Sequence, residues 1–120
     1  MSEPPKGDHA ELVRSLTTAR ERTAAQVDAL ARDLDETFAA SELVSTDDEH
    51  DPEGATIAYE RAQVSALLAQ AREDLDTLDR ALTDVEQTGR VRCDGCGEPI
   101  ALERLLALPT ARTCIRCAPR

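Results

Sequence analysis

Residues 64–85 read VSALLAQAREDLDTLDRALTDV, and this stretch decides the fold. Its apolar side chains recur at alternating steps of four and three residues, which is the spacing of a coiled-coil seam. The seam consists of Val64, Leu68, Ala71, Leu75, Leu78, Leu82 and Val85. Asp51-Pro52 upstream is a helix start signal and Gly89 downstream is a stop signal. The sequence therefore predicts one long helix between them.

A second apolar stripe precedes this helix in the chain. Asp8 can cap a helix, and Glu11 stands three residues later, as in a capping box. Apolar residues then recur at steps of three and four. They are Leu12, Leu16, Ala19, Thr23, Val27, Leu30, Leu34 and Phe38. Neither helix can bury its own stripe, so we expect an antiparallel hairpin over residues 9–89, with pairing between two chains as the alternative.

The composition favours an all-α dominated protein. Nineteen of the 120 residues are Ala and fourteen are Leu, while Phe38 and Tyr59 are the only aromatic residues. Strand-rich folds prefer β-branched and aromatic side chains, so a sandwich or barrel is not expected. The predicted architecture is a long antiparallel coiled-coil hairpin, preceded by a flexible tail (residues 1–8) and followed by a small four-cysteine module (residues 90–120).

Charge and motif content argue against several functions. The formal net charge is −10, which does not suit a sequence-independent grip on phosphate backbones. No apolar run reaches membrane-spanning length, and no secretory signal is recognisable, so a cytoplasmic protein with reduced thiols is expected. Neither an activated nucleophile nor a Gly-rich phosphate loop is present, so we expect no enzyme and no catalytic residues.

Two CxxC pairs predict a metal site in the C-terminal module. Cys93 and Cys96 form the first pair, Cys114 and Cys117 form the second, and seventeen residues separate the pairs. Four thiolates favour one zinc ion, with iron as the second choice and a pair of disulfides as the non-metal alternative. A four-thiolate set leaves no open coordination position, so the zinc should be structural. Because the helical seam does not involve the metal, we expect the hairpin to remain helical without it.

The finger sequence resembles the DksA/TraR zinc-finger family of bacterial transcription factors over residues 91–117. The matching run is Cys93-Asp-Gly-Cys96-Gly97-Glu-Pro-Ile100, then Arg104-Leu105 with Ala107, Pro109 and Ala111, then Cys114-Ile115-Arg-Cys117. The helical hairpin before the finger matches the architecture of the family. For Arg104 two interpretations stay open, a contact with a partner or a bond to carbonyl groups inside the finger.

This resemblance implies a regulator that binds RNA polymerase without reading DNA sequence. Family members insert the hairpin through the secondary channel, and acidic tip residues act near the catalytic centre. The candidates lie at the acidic tip, residues 45–55, and are Asp47, Asp48, Asp51 and Glu53. The family motif is Asp-Pro-x-Asp-x-Ala. Matching it to Asp51-Pro52 places Gly54 at the second Asp and Thr56 at the Ala. Matching the acid-x-Ala part instead selects Glu53 and Ala55, with His50 at the first position.

Two other functions remain as alternatives at this point. The first is a cytoplasmic coiled-coil adaptor that pairs with another helical protein and uses zinc only for structure. The second is a zinc-ribbon nucleic-acid binder, because residues 90–120 carry a formal charge of +3 against −13 for residues 1–89. We expect a monomer if the two stripes pack within one chain.

Overall fold

The computed structural model describes residues 6–43 and 52–119, and most of these residues are helical. Helix α1 spans Lys6–Leu43, α2 spans Pro52–Thr88 and α3 spans Leu102–Ala107. The two described ranges contain no strand, only an isolated antiparallel bridge between Arg92 and Pro99. The predicted helical hairpin with a small C-terminal finger is confirmed. None of the described helices combines the length and the apolar character needed to cross a membrane.

The helix ends agree with the start and stop signals except at the N-terminus. Helix α2 begins at Pro52, as the sequence predicts, and it ends one residue before Gly89, whose φ of 78° needs a glycine. Helix α1 begins earlier than expected, so residues 6–8 belong to the helix and not to the predicted tail. Asp8 lies in its first turn rather than at a cap, where its charge still suits the helix dipole.

The described chain divides into two compact units. The finger unit comprises Met1–Arg22 with Asp74–Arg120, and the hairpin unit comprises Thr23–Glu73. Each unit therefore contains a part of α1 and a part of α2. The C-terminal finger shares its unit with the first turns of α1 and the last turns of α2.

The finger unit has one continuous hydrophobic core. Leu16, Leu78 and Leu105 are its fully buried large side chains, and they come from α1, α2 and α3 respectively. The other buried members are Leu12, Ala81, Val85, Val91, Cys93, Ile100 and Ala111. The sequence-based boundary at residue 90 thus runs through a shared core, and the hairpin stripe is covered here by finger side chains.

The hairpin unit buries fewer side chains than the finger unit does. Leu68 and Ala71 of the predicted seam are buried, with exposed fractions of 3% and 2%. Phe38, expected in the α1 stripe, is instead 47% exposed, and the Arg61 guanidinium lies 5.1 Å from its ring centroid. Two helices cannot enclose a ring on all sides, so this aromatic side chain packs under a cation rather than in a core.

We predict that Leu78→Ala lowers the free energy of unfolding by roughly 2–5 kcal/mol, because it opens a cavity in a fully buried site. The matched control is Leu67→Ala, which removes the same atoms from a side chain that is 49% exposed and should cost about 0.5 kcal/mol. Urea unfolding of the zinc-loaded protein, followed by far-UV circular dichroism, measures both. Equal costs would show that the buried seam does not stabilise the unit.

Candidate metal centre

The first CxxC pair lies in a tight backbone turn. The Cys93 N–H donates to the Glu98 carbonyl at 2.8 Å, and the Gly97 N–H donates back to the Cys93 carbonyl at 3.0 Å. Gly97 has a φ of 76°, in the left-handed region that side chains disfavour. This turn brings the Cys93 and Cys96 sulfurs to the same side of the backbone.

The second CxxC pair forms a similar turn and is tied to the first. The N–H groups of Cys117 and Ala118 donate to the Cys114 carbonyl at 3.1 and 2.9 Å. The Asp94 N–H donates to the Arg112 carbonyl at 2.8 Å, and the two side chains form an ion pair at 3.3 Å. The sequence analysis did not single out this pair, because nothing in the local pattern places the two residues side by side.

The four predicted ligands meet at one point. Their Sγ atoms all lie within 4.8 Å of one another, and the Cys96 and Cys114 sulfurs are 3.8 Å apart. Tetrahedral zinc with Zn–S bonds of about 2.3 Å places its sulfurs about 3.8 Å apart. All four cysteines are free thiols, so the alternative of two disulfides is not formed. The donor set and its spacing fit a closed zinc site.

Backbone N–H groups donate hydrogen bonds to the sulfurs and so favour the thiolate form, which binds metal ions. The Cys114 N–H at 3.2 Å and the Gly95 N–H at 3.3 Å donate to Cys93 Sγ. These bonds, led by that from Cys114 and joined by the Cys96 N–H, lower the pKa of Cys93 to about 6. The Cys117 N–H likewise lowers the pKa of Cys114.

Cys117 differs from Cys93 and Cys114, because its pKa is raised rather than lowered. Its thiol hydrogen-bonds to the Cys114 sulfur, and this bond is the main cause that raises the pKa of Cys117 to about 12. A zinc ion that binds all four sulfurs must displace the proton of this thiol. Zinc affinity should therefore fall as the pH is lowered.

Gly95 is required by the space around it and not by an unusual φ. A Cβ at this position would lie 3.0 Å from Cys117 Sγ and 3.1 Å from Cys117 Cβ. Contacts this short would push the second cysteine pair away from the first. Gly97 is the glycine that needs the unusual φ, and the space around it is open.

Arg104 has a structural role in the finger. Its Nε donates to the Thr113 carbonyl at 2.8 Å, one residue before the second cysteine pair. The sequence left two interpretations open. The structure supports the second, in which Arg104 bonds to a carbonyl group inside the finger. The side chain thus links α3 to the metal site.

The structure describes one of the four tip candidates. Asp47, Asp48 and Asp51 lie outside the described residues, so their placement stays a prediction. Glu53 is exposed in the first turn of α2, where a negative charge suits the helix N-terminus.

Comparison with known proteins agrees with this site. The profile of the prokaryotic dksA/traR C4-type zinc finger matches residues 87–120. An uncharacterized protein of Bacillus subtilis, YteA, is 39% identical over 70 residues. The aligned part is 58% of this chain and 29% of that protein, so the chain spans less than a third of this relative. The finger profile and the clustered thiols together identify one structural zinc ion.

The likeness to a solved structure extends beyond the finger. The structure of transcription factor DksA2 from Pseudomonas aeruginosa superposes with a TM-score of 0.72 and 26% sequence identity. The match covers 92% of this chain and 80% of that one. The shared part therefore includes both long helices as well as the four-cysteine module.

We predict that Cys114→Ser loses the zinc ion and loosens more than the finger. Because the finger shares its core with α1 and α2, amide exchange should rise at Leu16 and Val85 as well as at residues 91–117. The expectation that the hairpin stays helical without the metal remains a prediction. Metal analysis and hydrogen exchange measure the two effects. Unchanged protection at Leu16 and Val85 would contradict a metal-dependent core.

We predict that Gly95→Ala releases zinc to a competing chelator at least about tenfold faster, because the added methyl group displaces the Cys117 sulfur. Gly7→Ala is the matched control, since a Cβ there has nothing within 4 Å. A colorimetric chelator assay follows both rates. Equal release from the two variants would show that the close approach at Gly95 is relieved without cost.

Proposed function

Because the chain belongs to the DksA/TraR family, a family of transcription factors, we propose that it binds RNA polymerase and inserts its hairpin into the secondary channel. The zinc ion holds the finger, and the tip acts near the catalytic centre of the polymerase. The protein itself carries out no reaction and reads no DNA sequence. It acts as a monomer in the cytoplasm.

One observation carries this proposal. The likeness to a transcription factor spans 92% of the chain, so it includes both long helices and not only a zinc finger that other proteins share. A finger alone would leave the adaptor and the nucleic-acid binder equally well supported. The combination of hairpin and finger favours polymerase as the partner.

The charge distribution supports the same partner. Residues 1–89 carry a formal charge of −13. An acidic hairpin is attracted to a basic channel, whereas it repels a nucleic acid, which carries the same sign of charge. We assign the zinc to Cys93, Cys96, Cys114 and Cys117. We assign the effect on transcription to the tip acids, which are Asp47, Asp48, Asp51 and Glu53.

Replacing three tip acids should abolish the effect on transcription and leave polymerase binding nearly unchanged. In the variant Asp48→Asn, Asp51→Asn, Glu53→Gln, three charges disappear while shape is kept. Binding to core polymerase should stay within about threefold of wild type, because affinity comes mainly from larger surfaces. The change in transcript yield should be lost. Co-purification and in vitro transcription at saturating protein measure the two quantities.

The matched control is Asp28→Asn, Asp35→Asn, Glu73→Gln, which removes three exposed charges from the hairpin unit. This control should behave as wild type in both assays. If wild type recovers another helical protein and no polymerase, the adaptor function replaces the one proposed. If the tip variant still alters transcript yield, the acidic tip has no part in the effect.

A further inference from the structure

One side of the hairpin unit carries an apolar groove with an acidic rim. Its floor is formed by Ile57, Val64 and Leu67 of α2. Its rim carries the carboxylates of Asp33 and Glu36 from α1 and of Glu60 from α2. The groove is shallow and open to solvent, with a volume of about 380 Å³.

The groove is a surface feature and not a part of the core. Leu67 is 49% exposed, whereas its neighbour Leu68 is only 3% exposed in the seam. The seam between the helices closes without Leu67, so folding does not require an apolar residue at this position. Its exposed side chain is available to a partner.

The rim carboxylates find no cation within the part of the chain that the structure describes. The ion pairs of Arg20 with Asp79 and of Arg112 with Asp94 do not lie at the groove. Arg61, the basic residue next to Glu60 in sequence, is placed over the Phe38 ring. Three negative charges therefore surround an apolar floor without an internal counter-charge.

We propose that this groove docks a cationic amphipathic segment of RNA polymerase. An apolar side chain of the segment packs on Leu67, and flanking Lys or Arg side chains pair with the rim carboxylates. The occupant must be basic, because a nucleic acid or a second copy of this acidic chain would place like charges together. This inference rests on the proposed function and adds a contact surface separate from the tip.

The groove and the tip should differ in what they control. Charges on a docking rim steer association and set its salt dependence, and an exposed leucine that becomes buried contributes to affinity. Loss of the groove should therefore weaken binding itself. The change in transcript yield per bound molecule, which we assign to the tip, should remain.

The first test uses a probe peptide and the full-length zinc-loaded protein. A synthetic amphipathic peptide of Lys and Leu should perturb backbone amide NMR signals of residues 33–37 and 57–67, and its affinity should fall as salt is added. A Glu and Leu peptide of the same pattern should not bind. Perturbations centred elsewhere, or equal binding of both peptides, would overturn the proposal.

The second test measures binding to core polymerase. The groove variant Asp33→Asn, Glu36→Gln, Glu60→Gln should bind about tenfold more weakly and lose part of the salt dependence, as should Leu67→Ser to a smaller degree. The control Asp28→Asn, Asp35→Asn, Glu73→Gln removes as many charges from residues outside the groove and should bind as wild type. Circular dichroism checks that helicity is kept in every variant.

The outcomes separate this inference from the function on which it rests. If wild type binds polymerase and the groove variants bind equally well, the groove is not the docking surface, while the proposed function stands. If wild type does not bind polymerase, the proposed function fails, and polymerase as the occupant fails with it. Weaker binding of the groove variants alone supports the proposal.

Discussion

The shared core of the finger unit is the interaction on which the rest of the structure depends. A finger of some thirty residues is too small to build a core of its own, and two helices cannot cover their own stripes completely. The shared core meets both requirements, because the helices contribute Leu16 and Leu78 and the finger contributes Leu105. Each part supplies the apolar surface that the other lacks. Cys93 belongs to this core, and Cys114 and Cys117 pack against it, so the zinc site and the two helices are connected through one set of contacts.

Zinc has a structural role here because the protein supplies every ligand. Two tight turns and the backbone N–H groups that point to Cys93 hold four sulfurs close together. The ion pair of Asp94 with Arg112 and the bond from Arg104 to the Thr113 carbonyl fix one cysteine pair against the other. With four thiolates bound, no position is left for a substrate or a water molecule. The zinc ion therefore stabilises the fold of the finger and takes no part in a reaction.

Stability and recognition are concentrated in different units of the molecule. The finger unit contains most of the buried side chains, whereas the hairpin unit buries Leu68 and Ala71 and exposes larger side chains, Phe38, Tyr59 and Leu67 among them. A lightly packed pair of acidic helices leaves apolar and charged groups available to a partner. Under the two proposals, the groove provides affinity for polymerase and the tip provides the effect on transcription.

The amino-acid sequence by itself determined the helical hairpin and the zinc ligands' grouping into two pairs. The four-three spacing of α2 and the CxxC pairs are local patterns, and local geometry is enough to interpret them. Only the tertiary structure decided that the finger core extends into α1 and α2, that Phe38 lies outside the core and that Gly95 is needed for space. It also decided that Asp33, Glu36 and Glu60 surround one groove. Periodicity shows which face of a helix is apolar, but what covers that face depends on residues distant in sequence, and a single sequence does not show which of them meet.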